Sequence, residues 1–402
     1  MVPNGWLNTS IDDNISFSGG AQPPREVFKF EPEEGYIRLI QIRDYKTDKF
    51  VTYVPEKLAK KFCTVDDVMI GRYGPPIFQI LRGIEGAYNV ALIKAIPKDG
   101  VDKEFMYYFL KRDPLLRVIE SYSQRTSGQT GIEMDVLKAY PMHLPPLPEQ
   151  RKIAKILSTW DKAIATTEKL IETSKQQKKA LMQQLLTGKK RLVNPETGKA
   201  FEGEWEEVKV NALITKHSEK TVENKQYPVL TSSRKGIFFQ SDYYNDRDVA
   251  SEDTTGYNVV PRDYFTYRHM SDDLVFKFNR NTICDKGIVS TLYPVFSAKE
   301  EVVVPYLLQA ILNEGSAFKR FSLSQKQGGS RTYMYLSKLN ELTIQIPSIT
   351  EQQKIASVLT AADQEIEVLE AKLAHFKQEK KALMQQLLTG KRRVKVDEEV
   401  AA

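Results

Sequence analysis

The chain contains the same long helical segment twice. Residues 175–189 read KQQKKALMQQLLTGK and residues 377–391 read KQEKKALMQQLLTGK, fourteen identities in fifteen positions at an offset of 202. The same offset relates Glu149-Gln150-x-Lys152-Ile153-Ala154 to Glu351-Gln352-x-Lys354-Ile355-Ala356. Each copy follows a large segment, and those two segments are unlike one another. A chain built this way is expected to fold as an α+β protein with an internal pseudo-two-fold repeat, as two different mixed α/β heads carried on two equal mounts. Such a plan suits holding two unlike binding surfaces more than assembling one catalytic centre.

The mounts carry a heptad. Seam positions spaced alternately four and three apart, most of them apolar, run through Ile153, Leu157, Trp160, Ile164, Thr167, Ile171, Ser174, Lys178, Leu181 and Leu185. The second copy has Ile355, Leu359, Ala362, Ile366, Leu369, Leu373, Phe376, Lys380, Leu383 and Leu387. This is coiled-coil spacing. Trp160 lines up with Ala362, and Ser174 with Phe376, so large and small residues can interdigitate if the copies pair. The plainer alternative is two amphipathic helices packed separately, each on its own head. Pro148 suits a first helical turn and Gly188 the left-handed residue past a helix end. Thr350 with Gln353 has capping-box spacing, and Gly390 ends the second copy. A helix over residues 149–187 would span about 58 Å.

A chain of 402 residues exceeds one ordinary hydrophobic core. The expected division is a first head over 1–147, a central helix over 148–192, a linker over 193–204, a second head over 205–347, a C-terminal helix over 348–392 and a tail over 393–402. Charge is distributed unevenly. Residues 150–192 hold 11 Lys and Arg against 3 Asp and Glu, whereas residues 1–149 hold 19 against 20 and residues 193–351 hold 19 against 21. If the heads touch nucleic acid, their basic groups must be gathered on one face, and a partner must supply further attraction. No run of 18 apolar residues and no signal-peptide pattern occurs, so no membrane partner is expected. Two isolated cysteines, Cys63 and Cys284, fit a reducing cytoplasm and buried apolar roles.

The heads share faint landmarks. Residues 67–74 (DVMIGRYG) align with 273–280 (DLVFKFNR), and Gly83 with Gly287. Residues 122–130 (YSQRTSGQT) and 323–332 (LSQKQGGSRT) each lie shortly before a long helix.

At the junction Leu144-Pro145-Pro146-Leu147-Pro148-Glu149-Gln150-x-Lys152-Ile153-Ala154, echoed from Ile346 to Ala356, and at the ending LMQQLLTGK, the chain resembles the specificity subunits of type I restriction–modification enzymes. The second junction departs mildly, with Pro347-Ser348-Ile349 in place of Pro-Pro-Leu. The resemblance covers the whole chain, strongly in the mounts and weakly in the heads. It implies a non-catalytic subunit with two target-recognition domains, each reading one half of a bipartite asymmetric site on double-stranded DNA. It also implies that the two helices form an antiparallel coiled coil. That rod would fix the gap and dock two methyltransferase subunits, which bind S-adenosylmethionine and methylate adenine. Motor-nuclease subunits using ATP and Mg join where the system restricts.

Base reading calls for Arg, Lys, Gln or Asn on rigid loops, with other polar groups on phosphates. The loops before the helices supply Gln124, Arg125, Ser127, Gln129 and Thr130 in the first head. In the second they supply Gln325, Lys326, Gln327, Ser330, Arg331 and Thr332. Their duplicated placement favours a backbone-positioning role. Segments that do not match between heads are the base-contact candidates: Arg43, Lys46 and Arg72 in the first, and Ser232, Ser233, Arg234, Lys235, Arg268 and Arg280 in the second. A single Arg or Lys of this kind is more often a solvated charge, so the set carries the reading.

Two other classes compete. A single-chain restriction–methylation enzyme would need an Asn/Asp-Pro-Pro-Tyr/Phe motif, and the nearest string, Gly74-Pro75-Pro76-Ile77-Phe78, lacks the amide or carboxylate. Gly188-Lys189 and Gly390-Lys391 lack the upstream glycine of a phosphate loop. The histidines His143, His217, His269 and His375 show no metal-ligand spacing. A coiled-coil scaffold that binds no nucleic acid would not need heads of this size.

Overall fold

The computed structural model describes residues 3–123, 125–126, 129–245, 249–326 and 331–396. The chain divides into two compact units, residues 1–168 with 371–402, and residues 169–370. The division cuts each long helix, so each unit holds one head together with half of both repeated helices.

In the first unit a four-stranded antiparallel sheet runs in the order Ile15–Gly19, Leu92–Pro97, Val68–Gly71, Ile80–Leu81. The run Val68-Met69-Ile70 is fully buried because both faces of the sheet are covered. Val68 and Ile70 enter the main core with Phe105, Phe109, Leu137 and Ile153, while Met69 enters a smaller core with Ile40, Cys63 and Tyr88. Alternate side chains on a strand point to opposite faces, so one strand serves two cores. A second sheet orders Tyr53–Pro55, Tyr36–Ile40, Gly86–Tyr88, Phe62–Cys63, with the middle pair parallel. The helices Lys103–Leu110 and Asp113–Tyr122 cover the main core.

The second unit repeats this plan with different residues. Its sheet orders Ile214–His217, Val295–Ala298, Phe265–Thr266, Asn279–Arg280. A hairpin of Leu230–Ser233 and Gly236–Phe239 stands beside Asn258–Pro261 paired with Lys286–Val289, and Val229 bridges Ile288 in parallel. In each unit the strand before the long helix pairs with an early strand: Pro141–Leu144 with Leu7–Ser10, and Thr343–Ile346 with Glu206–Lys209.

This topology corrects the expected landmarks. The third strand of the first sheet, Val68–Gly71, matches Phe265–Thr266, and residues 273–280 follow that strand. The glycine matching Gly287 is Gly86, not Gly83, because both sit on the strand that receives the parallel partner. A Cβ on Gly86 would lie 2.7 Å from the Arg38 carbonyl oxygen, and one on Gly287 would lie 2.4 Å from Leu230 Cδ1. The neighbouring strand's backbone leaves no room for a side chain at Gly86, and at Gly287 the Leu230 side chain would have to shift.

The repeated Glu-Gln pair joins each mount to its head. Gln150 is buried. Its Oε1 accepts the Asp102 N–H at 2.8 Å, and its Nε2 donates to the Gly100 and Pro145 carbonyls at 2.9 Å. Gln352 does the same with the Val304 N–H at 3.0 Å and the Val302 and Pro347 carbonyls at 3.1 and 2.9 Å. Truncating Gln150 strands three backbone groups, one in a buried bond and two in part-buried ones. Gln150→Ala is expected to cost about 2–4 kcal/mol in chemical denaturation, and a loss below 1 kcal/mol would contradict this role.

The long helices are Leu147–Leu185 and Ile349–Leu387, each 39 residues. The second starts one residue before Thr350, and it is Ser348 Oγ that accepts the Glu351 N–H, at 3.4 Å. Gly188 and Gly390 take φ of 67° and 69° just past the helix ends. Within the first unit the helix halves run antiparallel. Trp160 meets Phe376 edge-on at 5.5 Å, Asp161 pairs with Lys380, and Glu168 pairs with Lys377 at 2.7 Å. Within the second unit Lys175 pairs with Glu370 at 2.6 Å and Lys178 with Asp363. Antiparallel packing brings the two large aromatics together, where the alignment had set Trp160 opposite Ala362. The structure shields the seam positions along both helices, most completely at Ile153, Leu157, Ile171, Leu185, Ile355, Leu359, Ile366 and Leu387. Trp160, Ile164, Leu181, Leu369, Leu373, Phe376 and Leu383 are half-buried.

Lys178 and Lys380 occupy seam positions that an apolar residue would fill. Each is answered by an aspartate that also receives a tyrosine from the head: Tyr108 donates to Asp161 at 2.7 Å, and Tyr306 donates to Asp363. The two tyrosines come from different turns of corresponding helices, six residues after Asp102 and two after Val304. Burial works against the Asp161 charge, yet Lys380 and Tyr108 hold its carboxyl below the usual range. A depressed carboxylate stabilises the fold above its unfolded pKa and loses that contribution as pH falls. The first unit is therefore expected to lose stability below about pH 4, and Asp161→Asn to flatten that part of the pH profile.

Candidate nucleic-acid interface

The first head gathers several candidates beside the end of its central strand. The Arg72 guanidinium lies 5.2 Å from the Tyr73 ring centroid, and the Arg72 carbonyl accepts the Ile132 N–H at 3.2 Å. Tyr73 bridges Gly131. These bonds set Arg72 against the short hairpin of Arg125–Thr126 and Gln129–Thr130. Gln124 and Ser127 lie outside the described residues, as do Gln327 and Ser330 in the second head. Ile42 lies close to Gly71, where an added Cβ would come 3.3 Å from Ile42 Cδ1. The turn Ile42–Tyr45 therefore sits next to Arg72 and carries Arg43, with exposed Lys46 just beyond. Arg43 covers the Phe50 ring at 5.6 Å and donates to its carbonyl at 3.3 Å.

The second head repeats the meeting of the same two segments. Met270–Ser271 pairs with Thr332–Tyr333, the segment that leads to the long helix. Exposed Arg331 donates to Asp272 at 3.0 Å. Arg234, at the hairpin tip, makes two bonds to Asp273 at 2.9 and 2.6 Å. These bonds, with that from Ser271, hold the Asp273 carboxyl at about 2. The tip is fixed from below by Asn279, whose Nδ2 donates to Ser232 Oγ at 2.9 Å and to the Ser233 carbonyl at 2.8 Å. Ser232, Ser233 and Arg234 line a cavity of about 200 Å³ together with Asp272, Arg268, Tyr243 and Tyr244. Lys235 and Lys326 are exposed nearby in sequence, and Thr332 is buried. Arg280 lies apart from the cavity. It sits on the edge strand Asn279–Arg280, ion-paired with Asp263 at 3.7 Å.

Sequence reasoning missed the aspartates and the aromatics. Asp272 and Asp273 orient two of the arginines, and only a contact across 39 to 59 residues reveals it. Tyr333 and Tyr335 stack at 5.8 Å, and His269 stacks on Tyr335 at 5.0 Å. The alternation Tyr333-Met334-Tyr335, with Met334 buried and both rings partly exposed, was the available signal. His269 itself is buried, with Nδ1 against the Leu292 carbonyl oxygen. Among the described residues no cluster of His, Cys, Asp and Glu could hold a metal, and no helix is long and apolar enough to cross a membrane.

Known proteins match this arrangement. The chain is 27% identical to the type I restriction enzyme MjaVIII specificity subunit of Methanocaldococcus jannaschii, covering 98% of this chain and 94% of that protein. It is 27% identical to the putative type I restriction enzyme MjaX specificity subunit of the same organism, over 80% of this chain and 74% of that one. The fold resembles the crystal structure of a type I restriction–modification S subunit from M. genitalium, with TM-score 0.56, 15% identity and coverage of 96% and 97%. It also resembles a chain solved in a study of complex assembly and conformational transition of the type I R-M system, with TM-score 0.56, 14% identity and coverage of 98% and 100%. The family model for the type I restriction modification DNA specificity domain matches twice, at residues 3–176 and 202–378. With both heads and most of both mounts inside those matches, the chain belongs to the type I restriction–modification specificity subunits.

Proposed function

We propose that each head reads one half of a bipartite DNA site while the paired helices set the gap and seat two methyltransferase subunits. The chain is the recognition component, and the chemistry belongs to its partners, in the cytoplasm. One observation carries this reading. Both heads bring the same two segments together, a strand end and the loop before a long helix, with unlike polar side chains at the meeting point. A shared frame with different side chains is what two different half-sites require. In the second head Arg234 and Arg331 are the base or phosphate contacts, held ready by Asp273 and Asp272. In the first head Arg72 and Arg43 occupy the comparable place, with Arg125, Gln129 and Thr130 beside them.

The aspartates also restrain attraction to arbitrary DNA. Asp272→Asn with Asp273→Asn is expected to raise the affinity of the assembled complex for scrambled duplex several-fold and to steepen its salt dependence. A mobility-shift series at several salt concentrations checks this. Unchanged affinity and slope would mean the two arginines do not face DNA.

A further inference from the structure

The mounts carry the positive surplus, and one part of it encloses a cavity. In the first unit a space of about 380 Å³ opens between the start of helix Asp113–Tyr122 and the last turns of the second long helix. Six cations line it: Lys111, Arg112, Lys377, Lys380, Lys381 and Lys391. Three are already answered by carboxylates, Lys377 by Glu168, Lys380 by Asp161 and Lys381 by Asp113 at 3.1 Å. The other three have no carboxylate partner among the described residues. Among the described residues the Lys111 ammonium bonds only the Tyr107 hydroxyl, at 2.9 Å. The Arg112 side chain makes no hydrogen bond among the described residues, lies 4.9 Å from the Phe109 ring centroid, and is half-buried where desolvation works against its charge. A cation held in that state stabilises the fold little until an anion joins it.

We infer that this cavity is a phosphate-binding pocket that takes a backbone phosphate of the bound DNA, outside the base-reading loops. Three features select phosphate over a protein carboxylate. Lysine is a point charge with three donors, and several converging lysines suit a tetrahedral, multi-oxygen anion, whereas a carboxylate is matched by the flat fork of arginine. Thr389 and Gln385 add neutral polar groups to the lining, and its one carboxylate, Asp113, is taken by Lys381 at 3.1 Å. The heads are nearly neutral overall, so sequence-independent attraction for the duplex depends on local groupings of charge, and here Lys111 and Arg112 of the first head stand together with Lys391 of the mount, without a carboxylate partner among the described residues. The pocket lies at the start of helix Asp113–Tyr122, and the candidate loop follows the end of that helix. Ten residues, about 15 Å, separate the two, so a phosphate held here would lie away from the bases being read. The repeated lysines recur in the other mount as Lys175, Lys178, Lys179 and Lys189, but Lys111 and Arg112 belong to the first head alone.

The inference rests on the DNA-recognition reading, and its test separates the two. The chain is assembled with its methyltransferase partner, and affinity is measured for the target duplex and for scrambled duplex at several salt concentrations. Arg112→Gln with Lys391→Gln is expected to weaken both duplexes equally, by about tenfold, and to flatten the plot of log affinity against log salt by about 1 to 2. The methylated sequence stays the same. Inorganic phosphate titrated by calorimetry reports whether the pocket also takes the free anion, with binding lost in the variant. Matching thermal unfolding confirms folding, and Lys391→Arg retains affinity. If the variant binds DNA as the parent does but assembles poorly with the methyltransferase, the occupant is a partner carboxylate and the inference is overturned. If neither changes, it is equally overturned. If the parent complex itself fails to prefer its target, the fault lies with the recognition reading.

Discussion

Lengthening both long helices by seven residues, one insertion after Glu168 and one after Glu370, is expected to widen the gap between half-sites by about three base pairs. Seven residues are two helical turns, about 10.5 Å, and a base pair rises about 3.4 Å. A full heptad returns the seam to its own register, so Ile171 and Ile366 still face inward. The insertion points lie between the ion pairs that define the antiparallel register, Glu168 with Lys377 in one unit and Lys175 with Glu370 in the other. Inserting in one helix alone would leave the seam out of step and is expected to destabilise the chain. The half-site bases should not change, because no head residue has been altered. Affinity should fall, since three base pairs turn the second half-site by about 100° around the duplex. Selection of the preferred target from duplexes with randomised gaps reads the outcome. A new half-site sequence, or an unchanged gap, would refute the spacing role of the helices.

The second large effect is on stability. Arg393→Met is expected to cost the first unit about 3 kcal/mol. Glu149 is buried and is met by Arg393 through Nε and Nη2, both at 2.7 Å, with Trp6 Nε1 at 3.0 Å as its third partner. Removing the guanidinium leaves a buried carboxylate with only the indole bond. For a unit of this size the thermal transition should drop by about 6–12 °C. Replacing Glu149 by Leu in the same chain should recover part of the loss, because the unpaired charge is then gone. Arg191→Met is the matched experiment in the second unit, where Glu351 takes Arg191 Nε at 2.6 Å and Nη2 at 2.7 Å. A shift under 1 °C in both variants would show that the buried glutamates do not depend on these arginines.

Much of the architecture could be read because it is written locally or repeated. The heptad is a short-range pattern, so the seam from Ile153 to Leu185 could be listed before any contact was known. The offset of 202 made two heads on two mounts legible, and the Glu-Gln pair was visible as a mark. Its partners were harder to see. Arg191 and Arg393 also obey the offset, but the lysines around them hide which cation is buried against glutamate. Within the heads, strands such as Phe265–Thr266 and Asn279–Arg280 are two residues long. Runs that short carry no usable alternation, and their pairing is set by distant partners. Residues 67–74 and 273–280 look alike as strings, yet the first holds the third strand of its sheet and the second a turn leading into the fourth, because composition alone does not fix a segment's place in a sheet. The site was half legible. Arginines and glutamines on loops could be named, while their orientation by Asp272, Asp273 and Tyr73 exists only after the chain has folded.

The most direct test of one half-site per head is a methylome. A host expressing the chain with its methyltransferase partner is sequenced for methylated adenine, once with the parent chain and once with Arg234→Ala and Arg331→Ala. The account predicts one bipartite motif in the parent, and in the variant an unchanged first half with a relaxed or lost second half. A continuous motif in the parent, or both halves altered together in the variant, would contradict it.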